Sequence, residues 1–402
     1  MGQKGLINFF ESYLQRESIF REKTVLQPNY KPEEVLHRDN EINQIANVLA
    51  PALRMEKPSN LFLYGKTGSG KTLSAKYTTD EILSIAKQRD IPIKVIYINC
   101  KLSKVADTEY RLVAEIARNL NKVVPATGLP TEEVYKIFFS TLDSSQCILL
   151  LVLDEIDQLV NKAGDEVIYN LTRINAELKK SQISIIGISN DLKFTDMLDP
   201  RVKSSLSEEE ILFHAYNAIQ LQHILKTRAK RAFREDVIME GVIEKCAAYA
   251  ARDHGDARRA LELLRVSGEV AERSGKTKVE IEHIDEAEDK IEKERIMEII
   301  KTQPKQQQAT LYSIITLQKN SKGVIFTGEI YDEYKELCKT IGLRPLTQRR
   351  LSDIIGELDM FGIINAKVIS KGRFGRTREI TISVPQSMIP KLKSLLQQVL
   401  DV

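Results

Sequence analysis

The chain has 402 residues, 42% of them hydrophobic and 29% charged, which is enough for two or three ordinary globular domains. No apolar run approaches the ~18 residues of a membrane span, and the N-terminus lacks the apolar core of a signal peptide. The net charge of +3 is uneven, because residues 299–402 hold 16 Lys and Arg against 9 Asp and Glu, whereas the first 298 residues hold 43 against 47. A basic C-terminal segment on a mildly acidic body indicates a polyanionic partner.

The cysteines show neither metal-ligand nor C-x-x-C spacing; they are Cys100, Cys147, Cys246 and Cys338. This usage is typical of buried thiols in a reducing compartment. We therefore expect a cytoplasmic protein with no membrane partner.

The first part of the chain leads into one buried strand. Residues 1–27 are mixed and charged and predict an N-terminal arm, and Pro28–Pro32 predicts a turn. A helix begins within Leu36–Ile42 and runs to about Leu49. The apolar run Leu61–Tyr64 then predicts a strand.

A phosphate-binding motif follows this strand. It reads G-x-x-x-x-G-K-T and consists of Gly65, Lys66, Thr67, Gly68, Ser69, Gly70, Lys71 and Thr72. A helix-compatible segment over 73–86 comes next, so the motif has the strand, loop and helix context that it requires. The glycines let backbone N–H groups approach phosphate oxygens, and the helix N-terminus attracts the same anion. Lys71 is expected to reach the β- and γ-phosphates, and the Thr72 hydroxyl is expected to bind Mg²⁺.

Further apolar runs predict a parallel sheet. They are Lys94–Cys100, Cys147–Leu153, Ile183–Ser189 and the shorter Glu210–Phe213. Continuous apolar strands separated by helical segments predict an α/β domain whose sheet is covered on both faces. The long gap before Cys147 holds two helical patterns, Thr108–Asn121 and Thr131–Leu142, so an additional helix is inserted there.

Polar residues end two of these strands. Asp154 and Glu155 come directly after a buried run, which would deliver them to the edge of the sheet beside the phosphate loop. Asp154 is expected to hold Mg²⁺ through water, and Glu155 to polarise the attacking water. Asn190 ends the next strand and either orients that water or merely turns the chain.

Two arginines are candidates for contact with a γ-phosphate. Arg201 lies on the loop Leu198–Val202, where it either reaches a neighbouring subunit's nucleotide or is an ordinary solvated residue. Arg258 opens the helix within Gly255–Leu264 and lies roughly 100° off its buried stripe. It either swings onto the phosphate or stays on the surface.

The remaining chain is helical and then mixed. Helix follows helix from Ala218 to about Arg295, and Gln303–Gln308, with its proline and its run of glutamines, predicts a linker. A small α+β domain then contains the helices Ala309–Gln318, Glu329–Ile341 and Thr347–Met360, the strand Gly323–Phe326, and the hairpin of Ile363–Ile369 with Arg378–Val384. The predicted domains are therefore an arm (1–27), a nucleotide-binding domain (28–216), a helical lid (217–298) and a C-terminal domain (299–402).

The last helix before the hairpin resembles a DNA recognition helix. Its buried stripe is Leu351, Ile354, Ile355 and Leu358, which leaves Arg349 pointing away and Arg350 on the flank. Such arginines contact base edges or phosphates in a major groove. Asp353 is expected to pair with Arg349, so an ordinary solvated ion pair remains the alternative.

The tip of the hairpin is strongly basic. Its basic residues, with no acid between them, are Lys367, Lys371, Arg373, Arg376 and Arg378. As a wing, this tip would lie in a minor groove, where Arg also senses groove width. The alternative is a solvated basic loop.

These motifs together resemble an AAA+ ATPase. The matching stretches are GKTGSGKT, LLLVLDEID, the sensor-1 position Asn190, the finger-like LDPRV, and GDARRALELLR as sensor 2. More narrowly, residues 20–385 resemble the archaeal replication initiators related to the eukaryotic origin-recognition and cell-division-control ATPases. LHRDNEI resembles their adenine-side motif, TEYRLVAEIARNL their insertion helix, and the C-terminal pattern their winged helix.

The resemblance implies an origin-binding initiator with an AAA+ sheet domain, a helical lid and a winged-helix domain. It implies ATP or ADP with Mg²⁺ as cofactor, slow hydrolysis as a switch, and His37, Arg38 and Tyr216 beside the nucleotide. It also implies DNA contact by Tyr110 and Arg111 of the insertion helix. The implied partners are duplex origin DNA, a related initiator on adjacent DNA and the replicative helicase.

One departure from the family pattern is Ala215, where relatives usually carry proline. Two alternatives stay open for the function. The first is a winged-helix regulator with a structural nucleotide. The second is a clamp-loader-like remodelling ATPase, against which the basic wing argues.

Overall fold

The computed structural model describes residues 10–11, 17–101, 106–125, 127–206, 208–320, 324–370 and 376–402. They form two compact units, Met1–Ile284 and Asp285–Val402, each with its own hydrophobic core. Among the described residues, no helix combines the length and the apolar character that a membrane span requires.

The first unit consists of a sheet with its helices, followed by a helical lid. The strands are β1 (Asn60–Gly65), β2 (Ile93–Asn99), β3 (Ile148–Asp154), β4 (Gln182–Ser189) and β5 (Glu208–Phe213). The helices around them are α1 (Asp39–Leu49), α2 (Lys71–Gln88), α3 (Glu109–Asn119), α4 (Thr131–Leu142), α5 (Ile156–Ala163), α6 (Glu166–Arg173) and α7 (Pro200–Leu206). The lid contains α8 (Ala218–Ala232), α9 (Val242–Arg252) and α10 (Ala257–Arg273).

The sheet is parallel throughout, in the order β2-β3-β4-β1-β5. Its two faces bury different side chains of the same strand: Leu61 and Leu63 pack in one cluster, and Phe62 and Tyr64 pack in the other. The predicted α/β sheet, covered on both faces, is therefore confirmed. Because β4 lies between β1 and β3, the loops after these three strands are neighbours at the carboxyl edge of the sheet.

The segment before the turn packs on the lid. Phe20 forms an antiparallel bridge with Phe233, and their ring centroids lie 4.7 Å apart. Gly268 of α10 leaves room for this contact, since a Cβ there would lie 2.5 Å from Phe20 Cζ. Lys23 adds an ion pair with Glu269 at 2.9 Å. The described part of the predicted arm is therefore built into the lid.

The second unit begins within α11 (Ile281–Thr302) and has the pattern of a winged helix. Its further elements are α12 (Lys305–Asn320), β6 (Ile325–Phe326), α13 (Thr327–Thr340), α14 (Gln348–Met360), β7 (Ile364–Ser370), β8 (Arg376–Ile382) and α15 (Ile389–Leu400). The strands form an antiparallel sheet in the order β6-β8-β7. Helix α15, which the sequence analysis did not predict, contributes Leu392, Leu396 and Leu400 to the core.

The linker predicted at Gln303–Gln308 is wrong, because α12 already begins at Lys305. The carbonyl of Pro304 accepts the first bonds of the helix, from the N–H groups of Gln307 and Gln308. The Gln308 side chain is buried and donates to the carbonyl of Ile300 at 3.0 Å. A proline without its own N–H is tolerated at a helix start, so here it marks the beginning of a helix.

Candidate nucleotide site and nucleic-acid interface

The phosphate-binding loop joins β1 to the N-terminus of α2, as predicted. Gly68 and Gly70 have φ of +71° and +93°, a region that glycine adopts without strain. Both glycines also lie against other side chains. A Cβ on Gly68 would lie 1.8 Å from Asp256 Oδ1, and one on Gly70 would lie 2.7 Å from the Tyr216 hydroxyl. The loop is therefore enclosed by the lid on one side and by Tyr216 on another.

Lys71 occupies the centre of this loop. Its ammonium donates to the carbonyls of Gly65 (2.7 Å) and Lys66 (2.8 Å) and to Asn190 Oδ1 (3.0 Å). Burial lowers the pKa of Lys71 to about 8, an effect that the Asp154 carboxylate opposes. A phosphate anion beside this ammonium would replace the missing solvation, so the group suits a nucleotide triphosphate. The structure also brings Asn190 to the position where a sensor of the γ-phosphate is expected.

Thr72 and Asp154 meet at the same edge. The Thr72 hydroxyl donates to Asp154 Oδ2 at 3.0 Å, and Asp154 Oδ1 accepts from the N–H of Glu155 at 3.1 Å. A hydroxyl and a carboxylate are hard oxygen ligands, which fits Mg²⁺. The described residues contain no cluster of three or more His, Cys, Asp or Glu that would hold a metal alone. The fit is therefore to a Mg²⁺ ion shared with nucleotide phosphates.

The residues after β3 turn the chain sharply. Glu155 has φ of +57°, a left-handed conformation that is rare for a side-chain-bearing residue and is found at functional sites. Its carboxylate lies 3.7 Å from the Lys101 ammonium. Asp157 is buried and accepts from the Ser189 hydroxyl at 3.1 Å, which joins α5 to the end of β4. Glu155 thus remains the candidate for the catalytic carboxylate, and Asp157 supports the local fold.

The lid touches the loop directly. Asp256 caps α10 by accepting from the N–H groups of Arg258 (2.7 Å) and Arg259 (3.3 Å). The N–H of Ala257 donates to the carbonyl of Gly68 at 3.3 Å. Arg258 is exposed, and its charge acts on Lys71, whose pKa it helps to lower. The helix that carries Arg258 therefore begins beside the phosphate loop, and the sensor-2 role of Arg258 stays a prediction.

Arg38 supports the loop from behind. Its guanidinium is buried and donates to the carbonyls of Ser69 (2.9 Å) and His214 (2.6 Å) and to Glu41 Oε1 (2.7 Å). It also stacks on the Tyr216 ring, 4.0 Å from its centroid. Through these contacts, Arg38 joins the phosphate loop to the residue that follows β5. A direct contact with nucleotide stays a prediction for both Arg38 and Tyr216.

His37, which lies two residues before α1, contacts the lid. Its Nε2 lies 3.0 Å from His223 Nδ1 of α8, and the two rings meet edge to face. Burial, together with the nearby His223, lowers the pKa of His37. His37 therefore lies at the junction of sheet domain and lid.

Arg201 lies in the first turn of α7, and its side chain is 83% exposed. It bonds with Asp199 through Nε (3.0 Å) and Nη2 (3.2 Å). Arg201 has no contact with this chain's own phosphate loop among the described residues. Both interpretations of Arg201, action on a neighbouring subunit's nucleotide and an ordinary solvated arginine, therefore stay predictions.

The recognition helix is arranged largely as predicted. Leu351, Ile354, Ile355 and Leu358 of α14 are buried, and Arg349 is exposed. The expected ion pair between Asp353 and Arg349 is wrong, since Asp353 lies 3.5 Å from Arg350 instead. The pair forms at i,i+3 because Arg350 is on the same flank of the helix. The contact of Arg349 with DNA stays a prediction.

The hairpin lies only partly within the described residues. Lys371 and Arg373 fall outside them, and Arg376 is the first residue of β8. Lys367 is exposed on β7, opposite Glu379. Arg378 is half-buried and donates to the carbonyl of Ser352 in α14 at 2.8 Å, so it also holds the hairpin on the helix.

The insertion helix α3 is capped by Thr108, whose hydroxyl accepts from the N–H of Arg111 at 3.3 Å. The guanidinium of Arg111 pairs with Asp107 at 3.2 Å, and the Tyr110 hydroxyl donates to the carbonyl of Pro125 at 2.9 Å. Both side chains thus have local partners, and their contact with DNA stays a prediction.

The comparisons with known proteins cover nearly the whole chain. Three family models match: an AAA domain over 54–194, the Cdc6 AAA+ ATPase-type lid domain over 222–289, and the CDC6 C-terminal winged helix domain over 298–391. The chain is 51% identical to an ORC1-type DNA replication protein of Thermococcus onnurineus, over 96% of this chain and 93% of that relative. It is 50% identical to the ORC1-type DNA replication protein 1 of Methanosarcina mazei, over 95% and 92%.

A solved structure of an ORC1 protein also matches nearly the whole chain. The chain is similar to the ORC1 protein of Aeropyrum pernix, solved in complex with DNA, with a TM-score of 0.82 and 44% identity. The match covers 95% of this chain and 98% of that one.

Proposed function

This chain belongs to the ORC1-type DNA replication protein family, and we propose that it is a replication initiator that binds duplex origin DNA under the control of ATP. The observation that carries the proposal is the 44% identity, over 95% of the chain, with an ORC1 protein solved in complex with DNA. The converging residues around Lys71 support the nucleotide half of it.

ATP or ADP is bound between the sheet domain and the lid. The loop N–H groups and Lys71 take the β- and γ-phosphates, and Thr72 and Asp154 take Mg²⁺, which neutralises charge on the phosphate oxygens. His37 and Tyr216 lie on the adenine side. The direct bond from Ala257 to Gly68 supports this placement, because it puts the start of the lid helix against the phosphate loop.

Hydrolysis serves as a slow switch. Glu155 polarises the attacking water, Asn190 orients it, and Arg258 senses the γ-phosphate. Because Arg258 and the cap residue Asp256 belong to the same helix turn, loss of that phosphate changes how the lid is held. Arg201 acts on the nucleotide of a neighbouring copy, which its exposure supports.

DNA is bound mainly by the winged-helix domain. Arg349 and Arg350 of α14 contact the major groove, and the basic residues 371–378 contact the neighbouring minor groove. Tyr110 and Arg111 add a contact from the insertion helix. The excess of basic residues over 299–402 supports this assignment.

The partners follow from the same role. The protein associates with the nucleoid through DNA, meets a related initiator on adjacent DNA and helps to load the replicative helicase. A pull-down of the helicase with purified protein tests the last step, and absence of retention with ATP, with ADP and with neither would remove it.

The decisive experiment is footprinting across random genomic fragments with ATP, with ADP and with neither. Protection of a few discrete sites near a replication start, altered by the nucleotide, is the expected result. Weak and uniform protection everywhere would contradict an initiator. Lys71→Ala serves as the control for the nucleotide effect, since it should protect the same sites equally in all three conditions.

The wing can be tested by salt dependence. Arg373→Ala combined with Arg376→Ala should weaken binding to all duplexes and reduce the slope of log K against log salt by about 0.9 per charge removed. Lys87→Ala combined with Arg89→Ala, at the exposed far end of α2, removes the same charge elsewhere and should leave the slope unchanged. Equal slopes for both double variants would move the DNA site away from the wing.

A further inference from the structure

Tyr97 of β2 contacts Asp154, the last residue of β3 and the one that we propose holds Mg²⁺. It pairs in register with Val152, and residues two apart on a strand share a face, so Tyr97 lies on the same face as Asp154. The Tyr97 hydroxyl donates a hydrogen bond to Asp154 Oδ2. The same oxygen accepts from the Thr72 hydroxyl at 3.0 Å. Asp154 is therefore held by two side chains from two different elements.

We propose that Tyr97 is a positioning residue that holds Asp154 in the orientation for binding Mg²⁺. The inference rests on the proposed nucleotide function. A Thr72 hydroxyl that offers a lone pair to Mg²⁺ would keep its proton for the bond to Asp154. The Tyr97 bond and the N–H of Glu155, 3.1 Å from Oδ1, add two further contacts that keep the carboxylate in one rotamer. Mutation of a group that holds a metal ligand in this way typically lowers the metal affinity by about 10- to 100-fold.

A cation lies over the ring of Tyr97. The ammonium of Lys76, one turn along α2 from Thr72, lies 3.8 Å from the centroid of the Tyr97 ring. A cation over the ring makes the phenol a better hydrogen-bond donor.

The ring and the hydroxyl of Tyr97 have separable roles. The ring packs against the cluster that contains Val152 and Ile188, whereas the hydroxyl alone reaches Asp154. Tyr97→Phe keeps the ring and removes only the hydrogen bond. Tyr135→Phe is the matched control, because the Tyr135 hydroxyl also donates to a carboxylate, Glu109 Oε1 at 2.7 Å. Neither Tyr135 nor Glu109 belongs to the phosphate loop or bonds to Asp154.

The test is calorimetric titration of ADP into the full chain at a series of Mg²⁺ concentrations and in EDTA. For Tyr97→Phe we expect the half-saturating Mg²⁺ concentration to rise about tenfold. The ADP affinity in EDTA should equal that of the wild type, and the melting temperature should match that of Tyr135→Phe. Tyr135→Phe should keep the wild-type Mg²⁺ dependence.

Four outcomes would overturn the inference. A half-saturating Mg²⁺ concentration of Tyr97→Phe equal to that of Tyr135→Phe would show that the hydroxyl does not position the ligand. An equal loss of ADP affinity with and without Mg²⁺, or a lower melting temperature than Tyr135→Phe, would assign Tyr97 to the fold alone. ADP binding by the wild type without any Mg²⁺ dependence would remove both this inference and the proposed metal site.

Discussion

Replacing Gly68 by alanine tests whether the lid rests on the phosphate-binding loop. With φ of +71°, an alanine there is strained by roughly 1–2 kcal/mol. Its Cβ would lie 1.8 Å from Asp256 Oδ1, so the Asp256 side chain must move. That side chain caps α10, and losing a cap costs about 1 kcal/mol. We therefore expect the free energy of unfolding of the first unit to fall by about 2–3 kcal/mol.

Gly342→Ala, in the second unit, is the matched control for the backbone strain. Gly342 has φ of +69°, and nothing lies within 4 Å of an added Cβ, so the unfolding free energy of that unit should fall by only the ~1–2 kcal/mol of strain. Both variants are measured by denaturant unfolding without nucleotide and by calorimetric titration of ADP with Mg²⁺. We expect the larger loss and weaker ADP binding only for Gly68→Ala. Equal losses at the two positions, with wild-type ADP binding by both, would refute the contact between lid and loop.

Three further variants test other parts of the molecule. Lys71→Ala should abolish ATP binding, because it removes the cation at the centre of the loop, and a wild-type affinity by calorimetry would contradict the nucleotide site. Phe20→Ala should lower the unfolding free energy of the first unit by about 3 kcal/mol, since Phe20 is buried against Phe233. A loss below about 1 kcal/mol in denaturant unfolding would show that the segment does not pack stably on the lid. Gln308→Ala should cost the second unit about 1–2 kcal/mol by leaving the Ile300 carbonyl without this donor, and an unchanged transition would show that this hydrogen bond does not stabilise the unit.

The nucleotide site was predictable because its signals are local. The phosphate loop is contiguous, and each apolar run that ends in a polar residue marks one strand end at the carboxyl edge of the sheet. Asp154 and Asn190 could therefore be placed beside Lys71 without knowing the order of the strands. The structure agrees with this placement, since Lys71 lies 3.0 Å from Asn190 and Thr72 lies 3.0 Å from Asp154.

Other features depended on contacts that one sequence does not encode locally. Pro304 was interpreted as a helix breaker, although a proline is equally compatible with a helix start. Arg378 donates to the carbonyl of Ser352, and a backbone acceptor carries no sequence signal. Tyr97 escaped notice because its role depends on the register of β2 against β3. Asp256 was treated only as the start of a helix, whereas its packing on Gly68 requires the lid to be in place.

The contacts of Arg38 determine when the nucleotide site can form during synthesis. This one guanidinium joins the carbonyl of Ser69, 31 residues later in the chain, to that of His214, 176 residues later. Closing such distant contacts costs chain entropy that only a nearly finished fold can offset. A nascent chain that ends before His214 has the phosphate loop but lacks both its support at that carbonyl and its lid. We therefore expect tight nucleotide binding only after translation has passed the lid, so that binding would report a complete first unit.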